Sequence, residues 1–156
     1  MTWSLGIQSG DLNLSSRQNG MGIVTGAQKT FQDIRNEIYE PMGTDPIHAE
    51  YGSLIDGGIT PDGHLVESPI GNIIGAETIL ALEQEVQRIV QGVIKRQRER
   101  LLFEVERLNG QHYFTANELI SNIESVETKQ IGDVLAIRLR LRMNNGETIE
   151  IVRAAV

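Results

Sequence analysis

Glu37, Glu40, Asp45, Glu50 and Asp56 bring several carboxyl groups into one stretch of this chain, the residue type a glycosidase uses in pairs. Such an enzyme needs two carboxyls about 5–10 Å apart across a cleft, one of them kept protonated by burial. The local sequence offers these groups other work. The spacing puts Glu37 and Glu40 on a helix surface, and Asp45 and Asp56 precede Pro46 and Gly57 in turn positions. A sugar-cleaving cleft also presents aromatic platforms, and only Trp3, Tyr39, Tyr51, Tyr113 and three Phe are available. Solvated and turn-forming roles are the better reading of these carboxyls.

His48, His64 and His112 are the only histidines, and none has the spacing of a metal-binding pair such as HExxH. They read as surface histidines. Gly20-Met21-Gly22 and Gly57-Gly58 lack the strand–glycine–helix context of a phosphate loop, and no GxSxG is present. The absence of Cys removes disulfides, Cys-zinc sites and thiol catalysis. The expectation is a protein without catalytic residues, metal or cofactor.

The formal charge of −7 and 4% aromatic content argue against nucleic acid, which needs basic surface and stacking platforms. One local basic excess exists: Lys95, Arg96, Arg98 and Arg100, continued by Arg107. It reads either as a solvated helix, with Arg96 and Arg100 opposed by Glu99 and Glu104, or as a rim for an acidic protein partner. No apolar run approaches the ~18 residues that crossing a bilayer needs, so no membrane contact is expected. Met1–Gly6 has neither a basic start nor an apolar stretch, which predicts synthesis in the cytoplasm.

The elements that position these residues follow from the pattern. Residues 1–27 are rich in Gly, Ser, Asn and Gln with isolated apolar anchors, which predicts an extended N-terminal arm lying on its own domain or on a neighbouring chain. A single domain is expected over 28–156. Phe31, Ile34, Ile38 and Tyr39 predict a helix over 28–40 that Pro41 closes. Residues 41–58 read as a shaped loop, and Ile59–Gly75 as a second loop turning at Pro61-Asp62-Gly63. From Ala76 to about Leu108, Ile79, Leu82, Val86, Ile89, Val90, Val93 and Ile94 make the buried stripe of a long amphipathic helix. Such a helix reaches about 45 Å, too long for so small a domain, so part of it projects or meets another subunit. Thr115 and Glu118 have capping-box spacing and predict a short helix to Asn122.

The last third turns to strand. Leu135, Ile137, Leu139, Leu141 and Met143 alternate with Ala136, Arg138, Arg140 and Arg142, one apolar and one basic face. A two-residue turn would mix these faces with those of Thr148–Arg153. The turn Asn144-Asn145-Gly146 pairs Leu141 with Ile149, Leu139 with Ile151 and Arg140 with Glu150, with Gly146 left-handed in a bulge. Residues 123–131 add an edge strand. The predicted fold class is α+β: a long amphipathic helix and short helices on a small antiparallel sheet that ends in a C-terminal β-hairpin, with the arm in front.

This order of elements, with Gln32-Asp33-Ile34-Arg35 in the first helix and Gly-Thr-Asp-Pro…Tyr-Gly-Ser-Leu over Gly43–Leu54, resembles the baseplate wedge family of contractile phage tails. That family includes tail lysozyme-like wedge subunits and the sheath-initiator subunit of type VI secretion baseplates. The resemblance covers about residues 28–153. Many members end the long helix in Glu-Pro-Arg-Ile; Arg98-Glu99-Arg100-Leu101 keeps the arginine and the apolar residue and lacks Glu and Pro, as suits a helix that continues. The resemblance implies a structural virion protein, assembled in the bacterial host cytoplasm, that joins baseplate wedge subunits. It further implies contact with the tail sheath protein, and with tail tube or hub, the sheath being templated by strands added to the C-terminal hairpin. The contact residues it implies are Gly43, Asp45, Pro46, Tyr51 and Gly52 in the loop, Arg96 and Arg100 on the long helix, and Arg138, Arg140 and Arg142 on the hairpin. The competing reading within the family is a peptidoglycan-cleaving tail lysozyme.

Overall fold

The computed structural model describes residues 3–8, 11–12, 14–15, 20–69, 75–107, 110, 113–131 and 134–155. Short strands come first: β1 (Trp3–Leu5), β2 (Ile7–Gln8), β3 (Asp11–Leu12), β4 (Leu14–Ser15), β5 (Gly20–Met21) and β6 (Ile23–Thr25). They double the arm back on itself, β2 on β3, β4 on β5, and β1 on β6 with Ser4 opposite Val24. Hydrogen bonds tie it to the domain, Gln32 Nε2 donating to Leu5 O at 2.7 Å and the Gly26 amide to Glu118 Oε1 at 3.3 Å.

Helix α1 (Ala27–Tyr39) buries Ile34 and Ile38, one turn apart, and ends where Pro41 forbids another helical residue before it. A three-stranded sheet follows, β7 (Pro41–Met42), β8 (Ser53–Ile59) and β9 (Leu65–Val66), in the order β7-β8-β9. The irregular loop is therefore confined to residues 43–52; the sequence expectation of a loop through residue 58 is corrected by β8. Gly57 and Gly58 hid this strand because glycine ordinarily weakens one. Here they admit neighbouring backbone: a Cβ on Gly58 would lie 2.6 Å from Met42 O, and one on Gly57 2.9 Å from Val66 O. The Pro61-Asp62-Gly63 turn forms as expected, with Gly63 N donating to Thr60 O at 2.8 Å.

Helix α2 (Ala76–Arg107) has 32 residues, a rod of about 48 Å at ~1.5 Å per residue. Leu82, Val86, Ile89, Val90 and Val93 form its buried stripe, and beyond Val93 Leu102 and Phe103 are exposed. On the same turns Glu104 is buried and accepts from Tyr113 N at 3.0 Å. The sheet β10 (Ile120–Ile131), β11 (Val134–Met143), β12 (Thr148–Ala155) closes the fold, with β11 in the centre. Its register is the expected one, Leu141 opposite Ile149, Leu139 opposite Ile151 and Arg140 opposite Glu150, with Gly146 at φ 85°.

The expected short helix over Thr115–Asn122 is absent. The capping-box contact is made, Thr115 N donating to Glu118 Oε2 at 2.8 Å, but it closes a single turn. Ile120, opposite Met143 and 5% exposed, gains more by entering the sheet than by extending a helix. One core results: α1 and β8 on one side, the α2 stripe, and the inner sheet face of Leu135, Ile137, Leu139, Leu141 and Ile151. Each such side chain contributes about 1.5–3 kcal/mol by leaving water.

Candidate functional site: one covered and one open sheet edge

With β11 in the centre, β10 and β12 each own an outer border. The two borders differ. Side chains of α2 accept from β10 amides: Gln97 Oε1 from Ile120 N at 3.1 Å, and Glu83 Oε1 from Thr128 N at 2.8 Å. The second contact also fixes which way the ladder faces. A strand residue points its N–H and C=O to the same side, so Thr128 turns away from β11 and its partner Ile137 turns its own groups toward β12. Met143 agrees, its amide donating to Glu147 O at 2.8 Å on the β12 side. Alternation then gives Ile149, Ile151 and Arg153 to the β11 ladder, and sends the backbone groups of Thr148, Glu150, Val152 and Ala154 outward. Among the described residues, no strand pairs with β12 on that side and no side chain accepts from those amides.

Side chains alternate with the backbone. Ile151 and Arg153 are buried, while Glu150, Val152 and Ala154 share the solvent face with Arg138, Arg140 and Arg142. Glu150 holds two of these arginines, Arg138 Nε at 3.3 Å and Arg140 Nε at 3.0 Å. Its hydrogen bond, then its charge, raises the pKa of Arg140 above the ordinary value. Arg142, opposite Thr148, has no ion pair among the described residues.

On the buried face Arg153 donates from Nη1 to Ile38 O at 2.7 Å and from Nη2 to Asp56, and leaves Nε without a partner. Its guanidinium lies over Tyr39 at 4.5 Å from the ring centroid, and Arg35 of α1 approaches the same ring at 5.6 Å. A cavity of about 570 Å³ runs along α1 from Tyr39 past Arg35 and Phe31 to Val24. Sequence reasoning missed Arg35, Tyr39 and Arg153 as a group, because only the fold brings the two ends of the domain together.

The other predicted contact residues fall into two places. In the loop, Asp45 Oδ1 accepts from the amides of Ile47 at 2.8 Å and His48 at 3.3 Å, and Oδ2 pairs with His48 Nδ1 at 2.8 Å. The His48 hydrogen bond is the main cause that lowers the Asp45 pKa. Gly43 and Pro46 are exposed at this tip with Ile47, which is 83% exposed. Gly52 is buried at φ 99°, where a Cβ would meet Glu40 O at 2.7 Å. Arg88 Nη2 donates to Gly52 O at 2.7 Å and bonds Glu85, whose Oε1 accepts from Leu54 N at 2.8 Å; this brace from α2 was not anticipated. The Glu85 hydrogen bond raises the Arg88 pKa.

Tyr51, Arg96 and Arg100 line a separate cleft of about 370 Å³ between α1 and α2. Burial foremost, and then the charges of Glu37, Asp33 and Glu40, push the Tyr51 phenol up. Arg100 pairs with Glu104 at 3.1 Å as expected, and Lys95 takes Glu99 at 3.9 Å. Arg96 instead reaches across to Glu37 on α1.

That contact corrects the placement of Glu37, which is 1% exposed rather than on a helix surface. Thr30, Ile34, Glu37 and Ile38 share one helical stripe, a spacing that could have revealed it. Burial raises the Glu37 pKa above its ordinary value, and the Arg96 charge only partly opposes this. Glu40 accepts from Thr44 Oγ1 at 2.6 Å, Asp56 is engaged by Arg153, and Glu50 is exposed. His48 and His64 are exposed, and His112 lies outside the described residues. Among the described residues no group of three or more His, Asp or Glu converges as metal ligands. Comparison with known proteins finds no matching family model, no matching curated protein and no matching solved structure.

Proposed function

We propose that this chain is a structural wedge protein of a contractile tail baseplate, which joins wedge subunits near the tube or hub and starts the sheath by accepting a sheath strand on β12. The protein works by contact, without turnover, and resides in the virion after assembly in the host cytoplasm. One observation carries the reading: α2 occupies amides on the β10 border, while among the described residues nothing pairs with the outward backbone groups of Thr148, Glu150, Val152 and Ala154 on the β12 border. Strand addition needs such donors and acceptors beside a stable sheet. The loop around Asp45 and the exposed turns of α2 supply further contact surfaces for wedge neighbours.

Val152→Pro tests this directly. Its amide faces outward, so proline removes a donor for the incoming strand and spares the β11 ladder. We expect a folded variant by circular dichroism that no longer binds the sheath subunit of the same tail, while the wild type binds it. A variant that binds as well as the wild type removes strand addition from the proposal.

Glu37 gives the peptidoglycan-cleaving alternative one specific observation, a buried carboxyl with a raised pKa beside the 370 Å³ cleft. Its pairing with Arg96 favours a structural role. Cell-wall lysis by the wild type that disappears in Glu37→Gln is the outcome that favours the enzyme.

A further inference from the structure

We propose that the groove along α1 is the second half of the β12 docking site, and that it selects a segment bearing a carboxylate and an apolar side chain on one face. This rests on strand addition to β12 and names what the added segment must carry. Tyr39 joins the two halves: Arg153, a β12 residue, and Arg35 of α1 both lie within 6 Å of its ring centroid, and the ring is 44% exposed. From that ring the 570 Å³ cavity leads over Phe31 toward Val24. A segment paired with β12 therefore passes the mouth of the groove.

Charge sets the first requirement. Arg35 is exposed and has no ion pair among the described residues. Arg153 meets one carboxylate, that of Asp56, and keeps a buried Nε without a partner. Two guanidiniums thus share one counter-charge around Tyr39, a local positive excess on a chain of net charge −7. An acidic side chain brought to the ring meets Arg35 directly and enters the field of Arg153. The apolar floor of Phe31 and Val24 sets the second requirement. An extended chain sends every second residue to the same face, so the acidic and apolar residues stand an even number of positions apart.

The test uses the full chain and the sheath subunit of the same tail, with binding measured at low and at high salt. Arg35 is exposed, so Arg35→Glu leaves the fold intact. It is expected to weaken binding about tenfold or more at low ionic strength, with slower association, and less at high salt. Exchanging the matching acidic residue of the sheath segment for Lys is expected to restore binding to the Arg35→Glu chain. If Arg35→Glu binds like the wild type while Val152→Pro does not, the groove is not used and strand addition stands alone. If the wild type itself fails to bind the sheath subunit, both this inference and the reading beneath it fall.

Discussion

Arg96 reaches from α2 to a carboxylate that α1 has taken out of water, and the cost of burying Glu37 exceeds what the half-exposed guanidinium returns. Removing the partner in Arg96→Ala should lower stability at neutral pH by about 1–3 kcal/mol, less than for a fully buried pair because Arg96 remains partly solvated. The sign of the pH dependence follows from the raised pKa. Folded Glu37 holds its proton more tightly than the unfolded chain, so its contribution is fully present below its ordinary value of 4.5 and fades as pH rises through the folded pKa. Urea titrations across pH should show this slope in the wild type and lose it in Glu37→Gln. A slope unchanged by the substitution would show that another group carries it. Arg140 and Glu150 were legible in the sequence because strand alternation leaves a single register that pairs them. Glu37 was not, because a charge on an amphipathic helix is read as solvated until its partner on another element is known.

Between residues and the whole, the loop 43–52 is held tightly at its Gly52 end. Gly52 sits at φ 99° against Glu40 O, with its own carbonyl held by Arg88. Gly52→Ala adds a clash to an unfavourable backbone angle and should cost about 1–3 kcal/mol. Gly146 has a similar φ of 85° but nothing within 4 Å of a Cβ, so Gly146→Ala meets only the backbone strain and should cost less than Gly52→Ala, about 1 kcal/mol or somewhat more. Thermal melts of the two variants decide this, and equal losses would show that crowding at Gly52 is relieved elsewhere. The long helix and the hairpin were legible because each sustains one period over many residues. The strand Ser53–Ile59 was obscured by glycines whose purpose is the approach of β7 and β9, and Thr115–Glu118 made its capping contact without continuing as a helix.

For the molecule as a whole, α2 is the organising piece: its stripe fills the core, Arg88 and Glu85 brace the loop, and Glu83 and Gln97 cover one border of the sheet. Its period announced the stripe. Which border it covers was beyond the sequence, because Glu83 and Gln97 meet Thr128 and Ile120 only after the chain has reversed between α2 and β10. The uncovered border has a consequence for the protein before any partner arrives. Backbone groups left unpaired along a sheet edge can pair with a second copy of the chain, and concentrated stocks should form pairs or short fibrils through β12. Sedimentation at rising concentration should find more of these in added salt, which screens mutual repulsion between chains of charge −7, and fewer in Val152→Pro.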